Sequence, residues 1–280
     1  MKILIIGNGW IGQRCKSAWS DAVISDKRIM SVGDVLALIN EHHPDAILNA
    51  AGVVGRPNVD WCEDYQIETI QGNTILPILI AEACQQKNVY LLHIGTGCVY
   101  YGYSSDPKGW KESDFANPLA VYTKTKYAAD LTLSALPNVG IGRIRMPTDY
   151  IPSPANLIDK LIRYSKVADV INSVTVLEDM IEVFRELLVR RAGGIFHVTN
   201  PGAISHREII KMYEELVDPA HHNEWITEEE LVTSGLAKKK RSNNILQSPN
   251  LEKLGIKMRP VHEAVRDTME KYAKIKNSNI

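Results

Sequence analysis

Along the first half of the chain, short apolar runs alternate with segments whose apolar positions recur every three to four residues. That is the pattern of buried strands separated by amphipathic helices. Lys2 to Ile6, Ala22 to Ser25, Ala46 to Asn49, Val89 to Gly95 and Val139 to Arg145 read as strands. Trp10 to Trp19, Gly33 to His42, Ile67 to Gln86 and Leu119 to Leu136 read as the helices between them. Such alternation specifies an α/β protein with a Rossmann-type, doubly wound parallel sheet. Beyond Met146-Pro147 the pattern breaks into short pieces at Pro152, Pro154, Pro201, Pro219, Pro249 and Pro260, which predicts a smaller C-terminal α/β lobe. Val174 to Arg191 reads as a short strand and an apolar-faced helix that returns to the first lobe. The expected division is 1–146 with 174–191 in one domain, and 147–173 with 192–280 in the other.

The first strand runs directly into Gly7-Asn8-Gly9-Trp10-Ile11-Gly12, which opens the first helix. A GxGxxG run in that context allows a tight turn, close approach of backbone to a pyrophosphate and close helix–strand packing, with the helix N-terminus facing the anion. The first domain is therefore expected to bind NAD(P), and the second lobe a substrate. The second strand ends at Ser25 and is followed by Asp26-Lys27-Arg28. A hydroxyl and two cations suit a 2'-phosphate, so Ser25 and Arg28 favour NADP(H), while Asp26 leaves NAD(H) open. Asn49-Ala50-Ala51-Gly52, after the third strand, offers small residues to the adenosine part.

Composition changes this picture little. The 280 residues are 45% hydrophobic and 23% charged, with a formal net charge of -1. A chain so balanced has a sizeable core and no global pull toward nucleic acid or an anionic membrane. The basic run Lys238-Lys239-Lys240-Arg241 reads as a solvated turn leading to a phosphate contact. Ile3-Leu4-Ile5-Ile6 is too short for a signal or membrane helix, so a cytoplasmic protein is expected. Cys15, Cys62, Cys84 and Cys98 form no CxxC pair, and His42-His43 and His221-His222 lack helical ligand spacing, so no metal is implied.

Two segments carry candidate chemistry. Tyr122 and Lys126 lie four apart on one face of a predicted helix, where an ammonium is expected to lower the phenol's pKa and make it a proton donor and acceptor. Upstream, Gly95-Thr96-Gly97-Cys98 ends the fourth strand with a hydroxyl followed two residues later by a thiol. Thr96, Tyr122 and Lys126 suit reduction of a carbonyl. Cys98 is additional to that need and points to a second reaction.

Taken with the glycine motif, Thr96, Tyr122 and Lys126 resemble the extended short-chain dehydrogenase/reductase superfamily. Within it, the stretch from Ala51 to Glu63, Arg143-Ile144-Arg145-Met146-Pro147, Thr199-Asn200-Pro201-Gly202 with Ser205-His206, and Arg241-Ser242-Asn243-Asn244 look like nucleotide-rhamnose synthase/epimerase-reductases. The resemblance implies epimerisation of a nucleoside-diphospho-4-keto-6-deoxyglucose at C3 and C5, then reduction at C4. UDP is the implied nucleotide, with dTDP open, and a separate 4,6-dehydratase must supply the substrate, because Gly97-Cys98 replaces the Asp-Glu pair of dehydratases.

It assigns the acid/base role to Tyr122, the ribose and tuning role to Lys126, and the carbonyl contact to Thr96. Cys98 and Lys160 become the epimerising pair, with acid and base unassigned between them. Arg56, Asn58, Trp61, Asn73, Arg241 and Asn244 are the expected substrate contacts, and a homodimer is the expected assembly. A reductase without epimerase activity and a non-catalytic subunit on the same fold are the alternatives.

Overall fold

A computed structural model describes residues 1–56 and 58–278; Pro57, within the third-loop motif, lies outside them. The chain divides into two units. One comprises 1–99, 116–143 and 181–196, the other 100–115, 144–180 and 197–280.

The first unit is built on β1 (Ile3–Ile6), β2 (Ala22–Ser25), β3 (Ala46–Asn49), β4 (Tyr90–Thr96) and β5 (Val139–Ile144), with a sixth strand, β6 (Gly194–His197), at the sheet edge. The sheet order is β6-β5-β4-β3-β1-β2. β1 pairs in parallel with β2 (Ile3 opposite Ala22) and with β3 (Ile3 opposite Ala46), and β3 pairs in parallel with β4 (Ala46 opposite Tyr90).

Every residue of β1, β3, β4 and β5 is buried, the signature of strands covered on both faces. That explains why they read as mostly apolar runs, in which the polar side chains Asn49, His93, Thr96 and Arg143 are buried too. Strand order reverses at the β1/β3 boundary, so the loops at their carboxyl ends diverge there and leave a crevice.

The helices are α1 (Trp10–Ala18), α2 (Val32–His42), α3 (Trp61–Asp64), α4 (Gln66–Ile70), α5 (Leu76–Lys87) and α6 (Val121–Leu133). α2 begins with a capping box. Ser31 Oγ accepts from Asp34 N, and the Asp34 carboxylate accepts from Ser31 N. Leu4, Ile6, Val35, Leu38, Ile47, Ile80, Leu91, Leu133 and Ile141 form one apolar cluster that locks α2, α5 and α6 onto the sheet.

The predicted single helix from Ile67 to Gln86 is interrupted by a π-helical turn, Gln71–Ile75. The cause is Asn73. Its side chain accepts from Val53 N at 2.8 Å and donates to Val53 O at 2.8 Å, anchoring the loop after β3 to the helix. An inserted residue of this kind is common beside functional loops.

The second unit contains α7 (Leu157–Arg163), α9 (His206–Leu216) and the C-terminal helix Val261–Ser278, packed around Ile158, Leu161, Ile209, Ile210, Val265 and Met269. The helix between α7 and α9, α8 (Leu177–Arg190), follows the two-residue strand Thr175–Val176.

Residues 100–115 group with this unit, whereas the sequence pattern placed all of 1–146 in the first domain. The reason is long-range. Tyr100 stacks on Trp110 at 4.9 Å and donates to Lys111 O, and Trp110 bridges to Leu246. No local periodicity records such contacts. No helix among the described residues is long and apolar enough to cross a membrane.

Candidate active site

The loop after β1 is made of backbone. Gly7 has φ +113, a conformation that L side chains rarely adopt, and a Cβ there would lie 2.5 Å from Ala51 N. The first and third loops therefore meet at Gly7. A Cβ on Gly12 would lie 2.1 Å from Gly7 O, so the helix can pack against the turn only as glycine.

Gly9, by contrast, has nothing within 4 Å of its Cβ position. As the N-cap of α1 it supplies no side-chain cap, and the first turn carries no acidic residue. The free N–H groups and the helix dipole there face open space, a cradle that fits a dinucleotide pyrophosphate. Asn8 is exposed and its Oδ1 accepts from Gln13 Nε2, while Trp10 and Ile11 are half-buried on the helix that follows. At the tip of β2, Ser25 is buried with its Oγ accepting from Lys27 N at 3.2 Å, and Asp26, Lys27 and Arg28 are exposed.

The second cluster is made of side chains. β4 delivers Thr96 at its carboxyl end, and the 3-10 turn Gly97–Val99 carries Cys98. The N-terminus of α6 delivers Tyr122, and the side chain of Glu63 on α3 caps that helix by accepting from Val121 N at 2.8 Å. Thr96 Oγ1 accepts from Cys98 N at 3.2 Å and hydrogen-bonds the Tyr122 phenol. A hydroxyl, a phenol and a half-buried thiol thus converge.

Burial pushes the Tyr122 phenol well above its ordinary range, the proximity of Cys98 adds to this, and the Thr96 hydrogen bond opposes it. The expectation that Lys126 would lower the phenol is not met here. Lys126 Nζ is turned to Ile94 O at 2.6 Å and to His93 Nε2 at 3.2 Å. Burial brings the Lys126 ammonium down to about 8, with Asp130 pulling the other way.

Behind this cluster lies a buried polar network that the sequence reading did not single out. Asn49 Oδ1 accepts from Ala51 N at 3.1 Å, and Asn49 Nδ2 meets His93 Nδ1 at 3.0 Å. His93 then reaches Lys126. Four residues further along α6, Asp130 accepts from Arg143 Nε at 2.7 Å, and both side chains are at most 1% exposed. The available signal for Asp130 was its position one turn beyond Lys126 on the buried face. His93 carried none, since it sits in an apolar strand.

The structure distributes the remaining predicted residues widely. Ala50 is half-buried and Gly52 exposed in the third loop. Arg56 is exposed. Asn58 Oδ1 is engaged by Asp60 N at 2.8 Å, and Trp61 stacks on Tyr65 at 4.1 Å. Asn73, expected to touch substrate, is buried with its amide on the Val53 backbone. In the second unit, Lys160 is half-buried on α7, whose first turn is capped by Asn156. Arg241 is half-buried; Asn244 is buried and donates to Tyr100 O at 2.7 Å. Near it, Arg145 bonds Asn172 and Ser242.

The family model described as the RmlD substrate binding domain matches residues 1–274. The chain belongs to this family. It is 36% identical over 260 residues to a bifunctional dTDP-4-dehydrorhamnose 3,5-epimerase/dTDP-4-dehydrorhamnose reductase of Arabidopsis thaliana, covering 89% of this chain and 86% of that protein.

It is also 33% identical to a trifunctional UDP-glucose 4,6-dehydratase/UDP-4-keto-6-deoxy-D-glucose 3,5-epimerase/UDP-4-keto-L-rhamnose-reductase of the same plant, of which it spans 41%. The crystal structure of a UDP-rhamnose synthase from Acanthamoeba polyphaga mimivirus is similar at 30% identity and a TM-score of 0.89, with 97% of this chain and 99% of that one covered. A dTDP-4-dehydrorhamnose reductase from Bacillus anthracis in complex with NADP shares the Rossmann-like fold at 22% identity and a TM-score of 0.82.

Proposed function

We propose that the chain is an NADP(H)-dependent 3,5-epimerase/4-keto-reductase that converts UDP-4-keto-6-deoxy-D-glucose to UDP-L-rhamnose. One observation carries this reading beyond plain reduction: the Cys98 thiol stands beside the Thr96 and Tyr122 hydroxyls at the end of β4. Bound NADPH supplies the hydride. Ser25, Lys27 and Arg28 at the tip of β2 favour the 2'-phosphorylated dinucleotide, and the Bacillus anthracis reductase of the same fold holds NADP.

In a 4-keto sugar, C3 and C5 both flank the carbonyl. Removal of a proton from either carbon leaves its electron pair delocalised onto the C4 oxygen as an enolate. Thr96 and Tyr122 donate hydrogen bonds to that oxygen and stabilise the charge. Cys98 exchanges a proton with the carbon on one face, and a second group serves the opposite face, which inverts the centre. We assign that second role to Lys160 on resemblance, with acid and base left open between the two. After both inversions, C4 accepts hydride and the Tyr122 O–H gives its proton to the C4 oxygen.

The test is to incubate the protein with UDP-4-keto-6-deoxyglucose and NADPH in deuterated water and analyse the product by NMR and mass spectrometry. The expected product is UDP-L-rhamnose with deuterium at C3 and C5. Reduction without deuterium at either carbon would leave a 4-keto-reductase alone, the second reading that the dTDP-4-dehydrorhamnose reductases support. Cofactor binding with no turnover on UDP or dTDP substrates would leave a non-catalytic subunit. Cys98→Ser is expected to suppress deuterium incorporation while leaving dinucleotide binding intact.

A further inference from the structure

His93 is completely buried in β4, and its two ring nitrogens face two nitrogen partners, Asn49 Nδ2 and Lys126 Nζ. A neutral imidazole has one donor and one acceptor, so the partners cannot both donate to it. Asn49 settles the assignment. Its Oδ1 is committed to Ala51 N–H in the third loop, which turns its NH₂ toward His93 Nδ1. Nδ1 must accept, and the ring proton is therefore on Nε2, aimed at Lys126. An ammonium there would set donor against donor. An amine offers a lone pair to Nε2–H and still donates to Ile94 O.

We propose that His93, held in its Nε2–H tautomer by Asn49, is a positioning residue that keeps Lys126 as a neutral amine in the dinucleotide-free protein and makes charging of the lysine depend on the third loop. The groups around Lys126 agree. Asp130 on its own helix is the carboxylate that favours the ammonium, but Arg143 on β5 holds Asp130 at 2.7 Å. Burial keeps His93 itself uncharged. Tyr122, one turn before Lys126 on α6, has Cys98 and Cys62 beside it, and burial holds both the Cys62 thiol and the Tyr122 phenol in their neutral forms. Burial brings Lys126 down to about 8 against the pull of Asp130, and the His93 proton shifts the balance further toward the amine.

The consequence for catalysis rests on the reductase reading: a lysine that charges when ribose hydroxyls accept from it takes up a proton as the dinucleotide binds. The state of His93 and Lys126 in the free protein does not rest on that reading. Nitrogen-15 NMR of the histidine-labelled free protein is expected to show one ring with its proton on Nε2 that does not titrate down to pH 5. A proton on Nδ1 would overturn the proposal, and this measurement needs no variant.

Carbon-13 NMR of labelled lysine is expected to show Lys126 titrating below the value of about 8 that burial and Asp130 set between them, so that the amine predominates at neutral pH. Asn49→Asp, whose carboxylate demands a proton on Nδ1, and His93→Leu, which removes the donor, should each raise that midpoint. A fall on His93→Leu would mean that His93 accepts from an ammonium, contrary to the proposal. Calorimetry of NADP binding at pH 8.5 in two buffers of different ionisation enthalpy should show proton uptake, diminished in His93→Leu. Binding without uptake would remove the linkage to the dinucleotide, and absence of binding would remove the reductase reading while leaving the NMR result standing.

Discussion

The loop after β1 and the end of β4 lie in the same unit and do opposite things with polarity. At the loop, the functional groups are backbone N–H groups at the head of α1, with no side chain capping them and open space beyond Gly9. At the end of β4 they are side chains, and their support reaches inward through Lys126, His93, Asn49, Asp130 and Arg143, all at most 5% exposed. A site made of backbone tolerates any side chain that leaves its shape alone. One made of buried polar side chains depends on every partner, because each unsatisfied group in a dry interior costs the full desolvation penalty.

That contrast is open to test. In the proposed mechanism Tyr122 gives its proton to the C4 oxygen, so Tyr122→Phe should lower reduction by roughly 10²–10⁴-fold with dinucleotide affinity unchanged, as stopped-flow NADPH oxidation and fluorescence titration would show. Near-normal reduction would take Tyr122 out of that role. Arg143→Met strands the Asp130 carboxylate in the core and should cost about 3–5 kcal/mol in denaturant unfolding.

On the backbone side, Gly12→Ala places a methyl 2.1 Å from Gly7 O and should cost about 1–3 kcal/mol, together with most of the dinucleotide affinity. If Gly12→Ala proved harmless while Arg143→Met did not, the loop would be less constrained than its geometry indicates.

Lys126 supplies a pH signature. Its folded pKa, about 8, lies below the ordinary lysine value of 10.5, so between these values the unfolded chain binds more protons than the folded one. Its contribution therefore makes the protein more stable as pH rises from 8 to 10.5, by about 2–3 kcal/mol, and Lys126→Met should abolish that slope. Urea unfolding at several pH values measures it, and a slope that survives in Lys126→Met would place the titration elsewhere. Gly9→Ala, with open space at its Cβ and φ −86, should shift stability by less than about 0.5 kcal/mol, the smallest effect of the series.

Much of this was legible in one dimension. The strands predicted from apolar runs match β1 to β5 within a residue or two, because strands with little solvent-facing surface are built mostly of apolar residues. The glycine loop was legible because Gly7 and Gly12 are required by local geometry, and local geometry leaves a local trace. The segment 100–115 was misplaced because Tyr100, Trp110 and Leu246 meet across more than a hundred residues of chain. Asn73 looked like a substrate ligand and turned out to anchor Val53, a role that depends on a π-helical turn with no pattern of its own.

The sequence by itself determined the α/β class, the place of the glycine loop after β1 and the residues proposed as reactive groups, Thr96, Cys98, Tyr122 and Lys126. These follow from residue type and spacing within single elements. Only the tertiary structure decided what state those groups are in. Whether a phenol is raised or lowered, and whether a lysine is an ammonium or an amine, is set by burial and by partners from other strands. Tyr122 answers to Thr96 and Cys98, and Lys126 to His93 and Ile94, across sequence separations of 24 to 33 residues that carry no period to read.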